Sequence, residues 1–244
     1  LVISLAVAGE APIVAPFLDG ADAAISFTFD DGHATHAREL APLLTTRRFT
    51  ASFYVVPSWV PDEAQDGPKA TASWNEWKAL AAAGHEIGNH GMTHADLRKI
   101  TDPAALEREI VGAADLITAK VGVAPLSFAY AFCKESPEGK ALVLARHVAG
   151  RGYFPLYEGA FPAEKAAAMA EEAAAKKTWL VHLSHGVDST CFAAHLDWLA
   201  ERRGRFWVAP FGTVARYRAA RDKAVVSLNN TAEGGLSISL GLPP

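Results

Sequence analysis

Two adjacent carboxylates, Asp30 and Asp31, end the apolar run Phe27-Thr28-Phe29 and are followed by Gly32. Like charges side by side repel and are costly to remove from water. A polar turn after a strand accounts for the pair, with Gly32 supplying backbone freedom. So does a cation whose charge offsets their repulsion. The stretch Asn89-His90-Gly91-Met92-Thr93-His94 bears on the choice. His90 and His94 stand four residues apart, so they either occupy a polar loop or use one helical turn to aim both imidazoles at one ion. One carboxylate with two imidazoles makes a facial set that leaves positions open for water and substrate. One aspartate can then ligate while its neighbour stays free to take a proton.

These groups need elements to carry them. β-branched and aromatic runs predict strands over 23–29, 49–56, 85–90, 126–132, 153–157, 178–185 and 205–210. Helical spacing predicts helices over 35–48, 74–84, 101–122, 136–150, 162–177, 190–204 and 212–224. Gly84 is placed to end one helix, while Asp102, Pro103 and Gly122 form the N-cap, first position and stop of another. Strand-then-helix units in succession argue for parallel strands with helices outside, as a (β/α) barrel, closed or partly open, or as an open doubly wound sheet. No GxGxxG or Walker loop follows any strand, which weighs against nucleotide binding. Barrel active sites lie at the C-terminal strand ends. Asp30, Asp31, His90, His185 and the segment 131–133 all fall there.

The chain has 244 residues, 50% of them hydrophobic, and a net charge of −4. That is enough for one large domain and gives no electrostatic basis for a nucleic-acid partner or an anionic membrane surface. Cys133 and Cys191 fit no CxxC pattern, so neither a cysteine metal site nor a disulfide framework is expected, although one bridge between them is open. Residues 1–9 are apolar but too short to span a bilayer. They read as a first strand, with the remnant of a signal-peptide core as the alternative. No other segment approaches transmembrane length. Residues 225–244 alternate apolar and polar around an Asn/Gly-rich turn and read as a β-hairpin tail, packed on the barrel or opening a further β domain. The expected division is therefore 1–224 and 225–244. The oligomeric state is not legible.

The segments Thr28-Phe29-Asp30-Asp31-Gly32, His90-x-x-x-His94, Phe128-Ala129-Tyr130-Ala131-Phe132-Cys133 and Leu183-Ser184-His185-Gly186 occur in this order. Together they resemble the polysaccharide deacetylases, carbohydrate esterase family 4 or the NodB-homology domain, over roughly residues 22–220. The resemblance implies an α/β fold, a distorted (β/α) barrel of about seven strands. It implies a divalent metal, zinc first, with Co2+, Ni2+ or Mn2+ as alternatives, held by Asp31, His90 and His94. Asp30 would be the general base acting on the attacking water, His185 the general acid, and the Phe132 backbone N–H an oxyanion donor where the family has Tyr. The substrate would be an acetylated carbohydrate, most simply an N-acetylated amino-sugar polymer or oligosaccharide. O-acetyl cleavage on xylan-like polysaccharide, or a carbohydrate-binding domain with a degenerate site, are the alternatives. A secreted, periplasmic or cell-envelope location follows from the same resemblance.

The sequence departs from the family in two places. The third motif lacks its Arg, with Ala131 for Pro and Cys133 for Gly, so either something else orients Asp30 or activity is reduced. The fourth motif is missing, and Tyr153-Phe154-Pro155-Leu156-Tyr157-Glu158 occupies its region. Trp59, in the long loop 57–73, and Tyr130 are the expected substrate contacts; the other tryptophans read as core. His33 and His36 read as exposed, His85 as hydrogen-bonded and structural, His147 and His195 as surface or partly buried. His182 is the alternative to His185.

Overall fold

The apolar runs of the sequence become short strands that lie parallel, because each is followed by a helix that returns the chain to the same edge. The computed structural model describes residues 3–4, 13–67, 69–230 and 236–241. β1 (Ile3–Ser4) and β2 (Ile13–Val14) form a small antiparallel pair apart from the main sheet, so the expected first strand adds nothing to the barrel; residues 5–12 lie outside the described residues.

The main sheet comprises β3 (Ala23–Phe29), β4 (Ser52–Val55), β5 (Glu86–Asn89), β6 (Ser127–Ala129), β7 (Ala149–Arg151), β8 (Trp179–Ser184) and β9 (Phe206–Val208). Its order is β7-β6-β5-β4-β3-β8, with β9 paired to the start of β3, and every pairing is parallel. It is a curled half-barrel, the partly open form of the expected fold. The strand expected over 153–157 falls instead at Ala149–Arg151. Pro155 has no N–H to give a ladder, and this later stretch makes only the isolated bridge Leu156–Leu183.

The helices are α1 (Ala41–Thr46), α2 (Trp74–Ala82), α3 (Pro103–Glu107), α4 (Ala113–Val121), α5 (Pro137–Arg146), α6 (Ala163–Ala175), α7 (Ser189–Ala200) and α8 (Phe211–Lys223). Local chemistry sets their ends. Ser73 and Glu76 close a capping box on α2, Asp102 accepts from the Ala104 N–H, and Gly122 leaves α4 at φ 89°. A π turn over Arg108–Gly112 joins α3 to α4. The main core, with Phe27, Phe29, Phe53, Trp77, Phe192 and Leu196, fills the space between the sheet and its helices. β10 (Val225–Asn230) and β11 (Leu236–Gly241) pair antiparallel as a separate sheet, which is the expected hairpin; its turn lies outside the described residues. No helix among the described residues is long and apolar enough to cross a membrane.

Besides His90, five histidines lie in the interior: His36, His85, His147, His182 and His195. His85 is the expected structural residue, bonded to Thr45 Oγ1 and the Ala51 N–H. The expectation of exposure for His36, and of partial exposure for His147 and His195, is corrected, since each packs against aromatic rings that cover it. Burial disfavours the charged imidazole and lowers His36, His85, His147 and His195 to about 4 and His182 to about 3. The unfolded chain takes up these protons near its ordinary pKa of about 6.5, the folded chain only well below it. Between those values the unfolded state binds more protons, so stability falls as the pH is lowered through this window. Each histidine contributes up to about 1.4 kcal/mol per pH unit there. Urea midpoints should therefore drop steeply from about pH 7 to about pH 5, and equal midpoints would rule out neutral burial of the set.

Candidate active site

Asp30 and Asp31 follow the last residue of β3, and His90 follows the last residue of β5. Asp31 takes the left-handed conformation (φ 73°) before Gly32 (φ 64°), which turns its carboxylate across the strand end. His94 does not share a helix with His90. Residues 90–96 form an irregular loop in which His94 is itself left-handed (φ 62°), so the expected helical turn is replaced by a bent loop. The loop still brings the rings together, with centroids 4.7 Å apart.

Asp31 Oδ1 lies 3.5 Å from Nε2 of both His90 and His94. It is buried and has no hydrogen-bond partner. His90 Nδ1 lies 2.8 Å from the Ala129 carbonyl oxygen. A carbonyl only accepts, so Nδ1 carries the proton and Nε2 points a lone pair at Asp31. An orphaned carboxylate oxygen facing imidazole lone pairs is the arrangement a cation satisfies, and a backbone-anchored imidazole is the usual support of a ligating histidine. Candidate ligand atoms of Asp31, His90 and His94 lie within 4.8 Å of one another. The one-carboxylate, two-imidazole set suits a first-row transition ion or zinc. Burial alone would raise the Asp31 carboxyl, but the neighbouring imidazoles of His90, His94 and His185 hold it down at about 2.

Asp30 is buried and donates its N–H to the Ser184 carbonyl at 2.9 Å. Both of its carboxylate oxygens accept from Nη2 of Arg151, the last residue of β7. Arg151 is itself buried, donates Nη1 to the Gly152 carbonyl and stacks its guanidinium over the Tyr54 ring at 5.0 Å. The arginine absent from the third motif is thus supplied by the next strand. Arg151 lies outside the strand expected over 153–157, because β7 begins four residues earlier, at Ala149. The available signal was a lone arginine between Gly150 and Gly152.

His185 follows β8 and is half exposed. Its Nδ1 lies 2.5 Å from Glu158 Oε1, which also accepts the His185 backbone N–H at 3.1 Å. The Glu158 contact places the proton on Nδ1 and leaves Nε2 free to carry another. Glu158 belongs to the segment that replaces the fourth motif. His182 lies elsewhere, stacked on Phe27 and packed against Tyr157 and His195 on the helix side of the sheet. His33 reaches the rim, 3.8 Å from Asp31 Oδ2.

Two exposed rings flank His94: Trp59 at 5.2 Å and Phe132 at 4.7 Å between centroids. Phe132 is left-handed (φ 56°) in a kinked turn after β6, which throws its ring outward. Tyr130 is corrected as a substrate contact. It is 3% exposed, packs against Phe128 and fills the space where a side chain on Gly150 would begin, so it offers no stacking face. Cys133 and Cys191 are both free thiols, so the single bridge left open by the sequence is not formed.

Residues 19–144, just over half the chain, match the family model described as polysaccharide deacetylase. Gellan lyase from Bacillus sp. is 27% identical over 222 residues, 90% of this chain but 8% of that protein. Chitooligosaccharide deacetylase from Rhizobium leguminosarum bv. trifolii is 37% identical over 90 residues, 36% of this chain and 37% of that one. The chain therefore matches well under half the length of either relative. In fold, it is similar to the family 4 acetyl xylan esterase from Clostridium thermocellum solved with a cobalt ion, with a TM-score of 0.58, 20% identity, and 80% and 92% of the two chains covered. With the family model matching through both the aspartate pair and the histidine pair, the chain belongs to the polysaccharide deacetylase family, the family 4 carbohydrate esterases.

Proposed function

We propose that this chain is a metal-dependent carbohydrate deacetylase that removes N-acetyl groups from an amino-sugar polymer or oligosaccharide. The observation that carries this reading is the pairing of two proton-transfer groups around one ligand set. Asp30 is clamped by Arg151 on one side, and His185 is braced by Glu158 on the other. Asp31, His90 and His94 would hold the divalent ion, zinc by preference, which supplies Lewis acidity toward the acetyl carbonyl and lowers the pKa of the attacking water. Arg151 holds Asp30 in one orientation, and Asp30 takes the proton from that water. Glu158 accepts from Nδ1 of His185, so His185 delivers its proton to the leaving amine from Nε2. The Phe132 N–H would donate to the developing oxyanion. Trp59 and Phe132 offer apolar faces for pyranose rings on either side of His94. Residues 1–224 would form the catalytic domain and the hairpin of 225–244 an appendage to it. A polymeric substrate is consistent with a secreted or cell-envelope setting.

The braced acid favours amide over ester cleavage, because an amine cannot leave as an anion at neutral pH whereas an alkoxide depends less on protonation. The test is acetate release from N-acetylated chitooligosaccharides and from O-acetylated xylan, with metal content measured on the same preparation. Acetate from the amide substrate at least about tenfold faster is the expected result. Faster release from xylan would make the chain an acetyl esterase. Release from neither, with metal bound, would reduce it to a carbohydrate-binding domain.

A further inference from the structure

His94 reaches the site on a loop whose conformation is expensive. Gly91 (φ 83°) and His94 (φ 62°) are both left-handed. A non-glycine residue keeps such a conformation only when its surroundings over-determine it. Ser58 donates its N–H to the Met92 carbonyl at 3.1 Å, and the π turn between α3 and α4 supplies further bonds. The Met92 N–H donates to the Glu109 carbonyl at 2.9 Å, and Asn89 Nδ2 donates to the Ile110 carbonyl at 2.8 Å. A π turn disrupts the regular helical ladder and leaves carbonyls available for such partners.

The Glu109 side chain does the rest. It is 5% exposed and has no cationic partner among the described residues. Oε1 accepts the backbone N–H groups of Thr93 and Ala95 at 2.9 and 3.1 Å, and Oε2 accepts Thr93 Oγ1 at 2.9 Å. The two N–H groups bracket His94. A Cβ at position 91 would come within 2.7 Å of Oε1, so the glycine admits the carboxylate as well as the turn.

We propose that Glu109 is a positioning residue for the metal ligand His94, its buried carboxylate clamping the amides on either side of that histidine. This rests on the reading of Asp31, His90 and His94 as the ligand set. Glu109 touches neither substrate nor ion. It acts by holding the His94 backbone in a conformation that the unsupported chain would leave, and so keeps Nε2 on the Asp31 side.

The experiment titrates the full chain with Zn2+ against a chromophoric chelator and records the visible spectrum of the Co2+-loaded protein. Glu109→Met keeps the size but removes both acceptor oxygens, and Glu109→Gln is the conservative comparison, since its Oε1 can still accept the Thr93 and Ala95 N–H groups while its NH2 donates to Thr93 Oγ1. Glu109→Met is expected to weaken Zn2+ binding about 10–100-fold, the usual cost of losing an outer support of a ligand. It is also expected to change the Co2+ absorption bands, with Glu109→Gln close to the parent chain. A purely structural role would lower the urea midpoint of the metal-free chain while leaving Zn2+ affinity within about threefold and the Co2+ spectrum unaltered. That outcome overturns the proposal even if the parent chain binds zinc and releases acetate. A parent chain that binds no Zn2+ overturns the ligand assignment itself, and this proposal with it.

Discussion

His94→Ala is expected to abolish stoichiometric zinc binding and, with it, acetate release. The three candidate ligands are all that the chain brings to this point among the described residues, so removing one leaves two donors for an ion that prefers at least three from protein. His90→Ala should have the same effect but is the less clean experiment. His90 is 2% exposed and its Nδ1 is bonded to the Ala129 carbonyl, so its loss also leaves a buried acceptor unpaired. His94 is more open, at 17%, with no such anchor on its ring. Metal retained after dialysis, measured by mass spectrometry, is the readout, with circular dichroism to confirm folding. A full equivalent of zinc in the double His90→Ala, His94→Ala chain would reject the assignment.

Asp30→Asn is expected to keep the metal and lose most of the rate. A general base contributes about 10²–10⁴-fold. The amide also cannot accept from Arg151 through both of its groups, so the clamp and the base are lost together. Asp31→Asn should show the opposite order, losing metal affinity first, because Asp31 Oδ1 is the oxygen that faces both imidazole nitrogens. Zinc titration beside acetate release at saturating zinc separates the two. Indistinguishable titration curves for the two variants would mean that the division of labour between adjacent aspartates is wrong.

Much of this protein was legible in its residues. The run 23–29 is a strand of the stated bounds because a strand buried on both faces is mostly apolar, here all but Ser26 and Thr28, and that leaves a local mark. Asp30-Asp31-Gly32, the His90–His94 spacing and His185 before Gly186 are equally local. Each sits where a strand ends, so the alternation of elements alone placed them on one edge. Caps at Asp102 and Gly122 followed from chemistry within a few residues.

The tertiary structure decided what depends on partners distant in sequence. Arg151 meets Asp30 across 121 positions, and Glu158 meets His185 across 27. Neither pairing has a periodicity or motif, because an ion pair is set by where two strand ends arrive and not by what lies beside either residue. The same holds for which ring lies exposed beside His94. Alternation along β6 cannot choose between Tyr130 and Phe132, since the choice is made by a left-handed kink at Phe132 that breaks the alternation. Whether a histidine is buried was also beyond the sequence, because a single polar residue in an amphipathic pattern takes its environment from the aromatic rings that close over it. Local chemistry wrote the His90–His94 spacing and the strand ends into the sequence; the orientation of Asp30 and His185 came only from the packing of β7 and the segment after it against the site.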